Sequence, residues 1–206
     1  MANATRQNLL DSGMKRFYAE GFRNTGLEQI LADAGITKTA FYKHFDSKEE
    51  LMIEVLKQSA VWLQTNFLEL VRELGGRSAE GQLSAIIDVV EHLVDQIVAD
   101  TASANFHGCI FINASMEFPL LHDPAHQAAI LNHSALTRIL HDIAERAHAE
   151  SPQALAEELV LLIQGAYVTR QLTGDRSAFT TARKILRQTL AAHGVVAKRS
   201  SVGIKA

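Results

Sequence analysis

Apolar residues recur along this chain at intervals of three and four, the period of amphipathic helices. Leu10, Met14, Phe17 and Tyr18 fall at i, i+4, i+7 and i+8, which predicts a first helix from Ala4 to Glu20 stopped by Gly21. Thr25 opens "TGLE", a capping box, ahead of a second helix that aligns Leu27, Ile30, Leu31 and Ala34 and ends at Gly35. Thr37 can cap a short third helix over 38–44. Ser47 begins a second capping box, "SKEE", and a long fourth helix reaching Gly75–Gly76. Further helices are predicted over 79–99, 108–118, 124–149, 153–173 and 177–192. The cleanest stripe is Leu83, Ile86, Ile87, Val90, Leu93, Val94 and Ile97. The run "GCIFI" at 108–112 fits a strand or a buried helix equally. Gly13, inside the first helix, costs about 1 kcal/mol relative to alanine and suggests close helix packing there.

No long segment alternates in the manner of strands, so the fold class is all-α. The second and third helices, separated by a short turn containing Gly35, have the spacing of a helix-turn-helix. An N-terminal three-helix domain (1–48) is expected, joined by the long fourth helix to a C-terminal helical domain (49–194). Residues 195–206 carry no periodicity and are expected to form a loose tail.

Charge sharpens this division. The net charge of −3 excludes a simple basic nucleic-acid protein. Residues 1–48, however, hold seven Lys/Arg against five Asp/Glu, while 58–194 hold nine against fifteen. Only the N-terminal end therefore suits a polyanion. A single cysteine, Cys109, permits no intrachain disulfide and points to a reducing compartment. The start "MANATRQNLLDSG" lacks a signal pattern, and the longest aliphatic run, "LVLLI", is too short to span a bilayer. A cytoplasmic protein with no membrane partner is expected.

The chemistry concentrates in "GITKTAFYKHFDSKEEL" at 35–51. At 100° per residue, Lys38, Thr39, Tyr42 and Lys43 share a sector of about 140°, while Ala40 and Phe41 turn inward. Ammonium groups neutralise phosphates, hydroxyls bond phosphates or base edges, and the major groove admits one helix. Lys48 and the helix starts near it and at Thr25 add anion contacts.

The longer stretch "GFRNTGLEQILADAGITKTAFYKHFDSKEEL" strongly resembles the DNA-binding signature of the TetR family of transcriptional repressors. Shared features are the Gly-Phe after the first helix, the Thr opening the second, the Ala-Gly turn, the aromatic-Tyr-x-His-Phe helix and the Ser-Lys-Glu-Glu-Leu after it. The resemblance covers about residues 6–57. It implies phosphate contacts from Thr25, Tyr42, His44 and Lys48, and base or phosphate contacts from Thr37, Lys38, Thr39 and Lys43. Lys43 departs from the aromatic or histidine of many relatives, which leaves the operator sequence open.

The resemblance further implies a homodimer on a palindromic operator in duplex DNA, built through the last two helices, and release by a small-molecule effector. Candidate interface residues are Leu155, Leu159, Leu162, Ile163 and Ala166, with Phe179, Ala182, Ile185, Leu186 and Leu190. Candidate effector-pocket residues are Trp62, Phe67, Cys109, Phe111, Met116, Gln164 and Tyr167. Asn113, Glu117, His133 and Arg170 join them as polar groups that need partners if buried.

Cys109, in "FHGCIF", raises a rival reading as a thiol-based redox or electrophile sensor. His107, Cys109, His122, His126 and His133 raise a metal-sensing one, weakened because Pro124 starts a helix between His122 and His126. No triad, hydrolase motif or Gly-rich phosphate loop appears, so neither an enzyme nor a cofactor is expected.

Overall fold

A computed structural model of the protein describes residues 2–101 and 105–195. Nearly all of the expected loose tail, from 196 onward, lies outside the described residues. The described residues form ten helices and no strand: α1 (Ala2–Glu20), α2 (Leu27–Ala34), α3 (Lys38–Phe41), α4 (Lys48–Gly75), α5 (Ala79–Ser84), α6 (Ile86–Asp100), α7 (Ile110–Glu117), α8 (Pro124–Arg146), α9 (Pro152–Thr173) and α10 (Ser177–Ala192). The fold is all-α, as the period predicts.

Differences from expectation are local and have local causes. The stripe over 79–99 is broken at Ala85, whose N–H is shared between the Gly81 and Gln82 carbonyls at 3.1 and 3.3 Å. Beside the break, Ser84 Oγ donates to the Glu80 carbonyl at 2.7 Å, a back-bond that bends helices. The ambiguous "GCIFI" enters a helix, with Cys109 in extended conformation at its N-cap. The eighth helix stops at Arg146 because His148 takes a left-handed φ of 53° and the Ala149 N–H turns back to the Ala144 carbonyl at 3.1 Å.

Residues group into two compact units, Met1–Thr65 with Asp95–Ser134, and Asn66–Val94 with Ala135–Ala206. The division falls inside α4, α6 and α8. In the first unit Leu9, Phe17, Phe22, Ile30, Phe41, Phe45, Leu51 and Leu56 are fully buried. Gly13 lets α1 close on α4, since a Cβ there would sit 3.3 Å from Leu51 Cδ2. In the second unit α9 and α10 bury Leu155, Leu159, Ile163, Phe179 and Leu186. Arg183 there pairs with Asp88 at 2.6 Å and with Glu91, and Arg176 pairs with Glu91 at 2.7 Å. Among the described residues no helix is long and apolar enough to cross a membrane.

Candidate nucleic-acid interface

Each boundary of the helix-turn-helix is held by a specific bond. Gly35, at φ 65°, ends α2, and the next N–H, of Ile36, returns to the Leu31 carbonyl at 3.0 Å. Thr37 caps α3, its Oγ1 accepting from the Ala40 N–H at 3.3 Å. The helix expected to reach 44 tightens after Phe41, where Lys43 and His44 N–H groups bond back three residues, to Ala40 and Phe41. Ser47 Oγ accepts from Glu50 N–H at 3.1 Å and starts α4.

The expected capping box at the start of α2 is displaced by one residue. Gly26 is the N-cap, and Gln29 Oε1 accepts its N–H at 2.6 Å. Thr25 is instead buried, and its hydroxyl donates to the Gly21 carbonyl at 2.7 Å. Its side chain braces the turn rather than facing outward.

Phe41 and Phe45 anchor α3, their rings 5.7 Å apart, with the Arg6 guanidinium over Phe45 at 5.1 Å. On this base Thr37, Lys38, Thr39, Tyr42 and Lys43 are exposed, and His44 is half-buried. Tyr42 is half exposed although its ring meets the edge of Phe41 at 5.3 Å. Lys38 Nζ pairs with Glu28 at 3.1 Å, and this partner raises the pKa of the ammonium group. Both groups are exposed, so salt or a competing phosphate can displace the pair. Lys48 is placed differently from the expectation. It is half-buried, and its ammonium donates to the carbonyls of Phe22 at 3.1 Å and Thr25 at 2.8 Å. Two of its three N–H groups therefore hold the turn before α2.

Residues 9–55 match the domain family described as bacterial regulatory proteins, tetR family, and residues 81–186 match the tetracyclin repressor-like C-terminal domain. The chain belongs to the TetR family. Such proteins are transcriptional regulators. The chain is 29% identical over 116 residues to the HTH-type transcriptional regulator AcrR of Shigella flexneri, covering 54% of this chain and 52% of that one. It is 25% identical over 185 residues to the HTH-type transcriptional repressor DhaR of Mycobacterium sp. (strain GP1), covering 83% and 84%. SCO4454, a TetR-family transcriptional regulator from Streptomyces coelicolor, superposes with a TM-score of 0.81 at 26% identity over 93% of this chain and 96% of that one. The chain spans about half the length of several of the relatives it matches.

Beyond the family's DNA-binding segment, the residues expected to line an effector pocket divide between the two units. Trp62, Cys109, Phe111, Asn113, Met116, Glu117 and His133 belong to the first, Phe67, Gln164, Tyr167 and Arg170 to the second. Phe67, Phe111 and Tyr167 are buried. Met116 and His133 are exposed, so neither lines a closed cavity within its unit. Asn113 Nδ2 donates to the His107 carbonyl at 2.8 Å, and the His107 N–H donates to Tyr18 Oη at 3.1 Å, fastening the segment before α7 to α1. Glu117 accepts the N–H groups of Phe22 and Arg23 at 3.0 and 2.8 Å. Pattern alone could not reveal that contact, because its partners lie ninety-odd residues apart; only the Gly-Phe motif hinted that the turn is special.

The redox alternative gains no support. Burial pushes the Cys109 thiol up, against the N–H groups of Ile112 and Phe111, and a protonated thiol is a poor nucleophile. The chain has no second cysteine to resolve an oxidised one. Among the described residues the group close enough to hold a metal is His141, Asp142 and Glu145, none of them in the expected set. His126 Nδ1 is bonded to the Phe118 carbonyl at 2.7 Å.

Proposed function

We propose that this regulator is a dimeric repressor that seats α3 in the major groove of a palindromic operator and is released by a small-molecule effector. The observation that carries the reading is the outer face of α3. Lys38 and Thr39 of α3, with Tyr42 and Lys43 of the tight turn that continues it, are exposed together above buried Phe41. That mixture of cations and hydroxyls suits phosphates and base edges. Thr37 and His44 flank it, and the third N–H of Lys48 is the one left for a phosphate. Thr25 contributes by holding the turn.

In this reading residues 1–48 contact DNA, and residues 49–194 dimerise and take the effector, acting in the cytoplasm. Two-fold symmetry would place the recognition helices one turn of DNA apart, about 34 Å. Support for a dimer through the last two helices comes from apolar side chains left exposed there. Leu161, Val168 and Leu172 of α9 are exposed, as is Ile185 of α10. The expected interface stripes, Leu155 to Ala166 and Phe179 to Leu190, are mostly buried within the subunit; Ile185 alone of them is among the exposed large apolar side chains. The effector site is drawn from Trp62, Cys109 and Phe111 of the first unit or Phe67, Gln164, Tyr167 and Arg170 of the second.

The test is selection of bound DNA from random duplexes, followed by mobility shifts on the recovered sequence. A palindrome with half-sites one turn apart is expected, and a ligand screen against that complex then finds the effector. Recovery of no preferred duplex would overturn the reading.

A further inference from the structure

The sharp turn between α1 and α2 is gripped from outside the helix-turn-helix. Glu117, the last residue of α7, presents Oε1 to the Phe22 N–H at 3.0 Å and Oε2 to the Arg23 N–H at 2.8 Å. Gly21 makes room for it. It adopts φ 88°, and a Cβ there would lie 2.9 Å from Glu117 Oε1. The next residue adds to the grip, with the Phe118 ring edge-on to Phe22 at 6.1 Å and beneath the Arg23 guanidinium at 5.2 Å. On its other side the same turn bonds the recognition unit, since the Phe22 carbonyl accepts Lys48 and the Gly21 carbonyl accepts the Thr25 hydroxyl. Only Asn24, Thr25 and Gly26 thus stand between the clasped Arg23 amide and the start of α2.

We infer that Glu117 is a positioning residue for DNA recognition: its carboxylate clasps the Gly21–Arg23 turn and so fixes where α2 and α3 stand. The inference rests on the proposed operator binding. A recognition unit that wanders must be ordered at the moment of binding, and its apparent affinity falls by the fraction competent. Charge alone predicts the opposite, because deleting a carboxylate from a DNA-binding protein favours approach to phosphate.

Glu117→Gln is the discriminating variant. It keeps one carbonyl acceptor but turns an NH₂ group toward a backbone N–H. Expected is roughly tenfold weaker binding to the selected operator duplex, the cost of a lost charge-assisted bond. Binding to a scrambled duplex should hold or tighten, so the specificity ratio drops. Gly21→Ala, which displaces the carboxylate while leaving it charged, should give a similar loss, and the double variant should be no worse than either. Wild-type operator affinity and specificity in both folded single variants would overturn the inference. Should both variants fail to fold, hydrogen exchange in the wild-type protein decides: protected Phe22 and Arg23 amides support the clasp and unprotected ones refute it. Failure of the wild-type protein to select any duplex would instead sink the underlying reading.

Discussion

The ammonium group of Lys48 lies 2.8 Å from the Thr25 carbonyl, tying the first residue of α4 to the turn that opens α2. A side chain expected to be a simple phosphate contact is thereby also a strut. The two roles are compatible, because an ammonium has three donors and the protein uses two.

Lys48→Ala should therefore lower stability as well as operator affinity. Removing a charged donor from two half-buried carbonyls costs about 1–3 kcal/mol, read as a fall in melting temperature or in the denaturant midpoint. The salt dependence of operator binding should change by less than one phosphate's worth. A Lys48→Ala protein that melts like the wild type would show that the strut is idle.

Lys43→Ala should behave in the converse way. Lys43 is exposed, so its loss should leave the melting temperature within a degree or so while reducing the slope of log K against log salt by about 2, one phosphate from each half-site of the dimer. Tyr42→Ala, removing a neutral group, should weaken binding with the slope intact. Titrations at four or five salt concentrations check both, and a Lys43 variant with an unchanged slope would place that side chain away from DNA.

How far the chain announced its own structure follows from the range of the interactions involved. Helix ends at Glu20, Gly35, Lys48 and Gly75 are set by caps and glycines within a few residues, and all were legible to within a residue or two. The face of α3 was legible for the same reason: one short helix with Phe41 inward leaves little choice for Lys38, Tyr42 and Lys43. The shift of the α2 cap from Thr25 to Gly26 was not legible, since "TGLE" and "GLEQ" both offer a side chain three residues on, and the Gly21 carbonyl decided by taking the Thr25 hydroxyl. Pattern marks Glu117 as a pocket candidate whose carboxylate needs a partner if buried; that its two oxygens go to the Phe22 and Arg23 N–H groups is visible only in three dimensions. The stripes of α9 and α10 showed which residues are apolar, not which of two apolar faces looks outward.

Acid should loosen the second unit through Glu91. Its pKa is lowered: burial alone would raise it, and the hydrogen bonds and charges of Arg183 and Arg176 outweigh that. A carboxylate depressed in the folded state contributes stability above its unfolded value, near 4.5, and loses it as pH falls through the folded value. Stability should thus be flat near neutrality and decline below about pH 4.5. Glu91→Gln should melt lower at pH 7 and show a shallower acid limb. Parallel acid limbs in the two proteins would remove Glu91 from the cause.

The dimer prediction is the one that separates the outward face of α9 from its inward one. Leu161, Gly165, Val168 and Leu172 stand at i, i+4, i+7 and i+11, one narrow seam, and all four are exposed in the single chain. Gly165 has nothing within 4 Å of where a Cβ would be, leaving space for a partner helix to approach. Because these side chains contact little within their own subunit, Leu161→Asp or Leu172→Asp should leave the subunit folded. In a two-fold interface each substitution counts twice. With about 1.5–3 kcal/mol for each buried leucine, the dimer should weaken by roughly 3–6 kcal/mol, a factor on the order of 10² to 10⁴ in Kd. Sedimentation across a hundredfold range of protein concentration would read this directly. The wild-type chain is expected to stay dimeric and the variants to dissociate with unchanged helical content. Variants that remain dimeric would move the interface elsewhere, and variants that unfold would show that the seam is packed within the subunit after all.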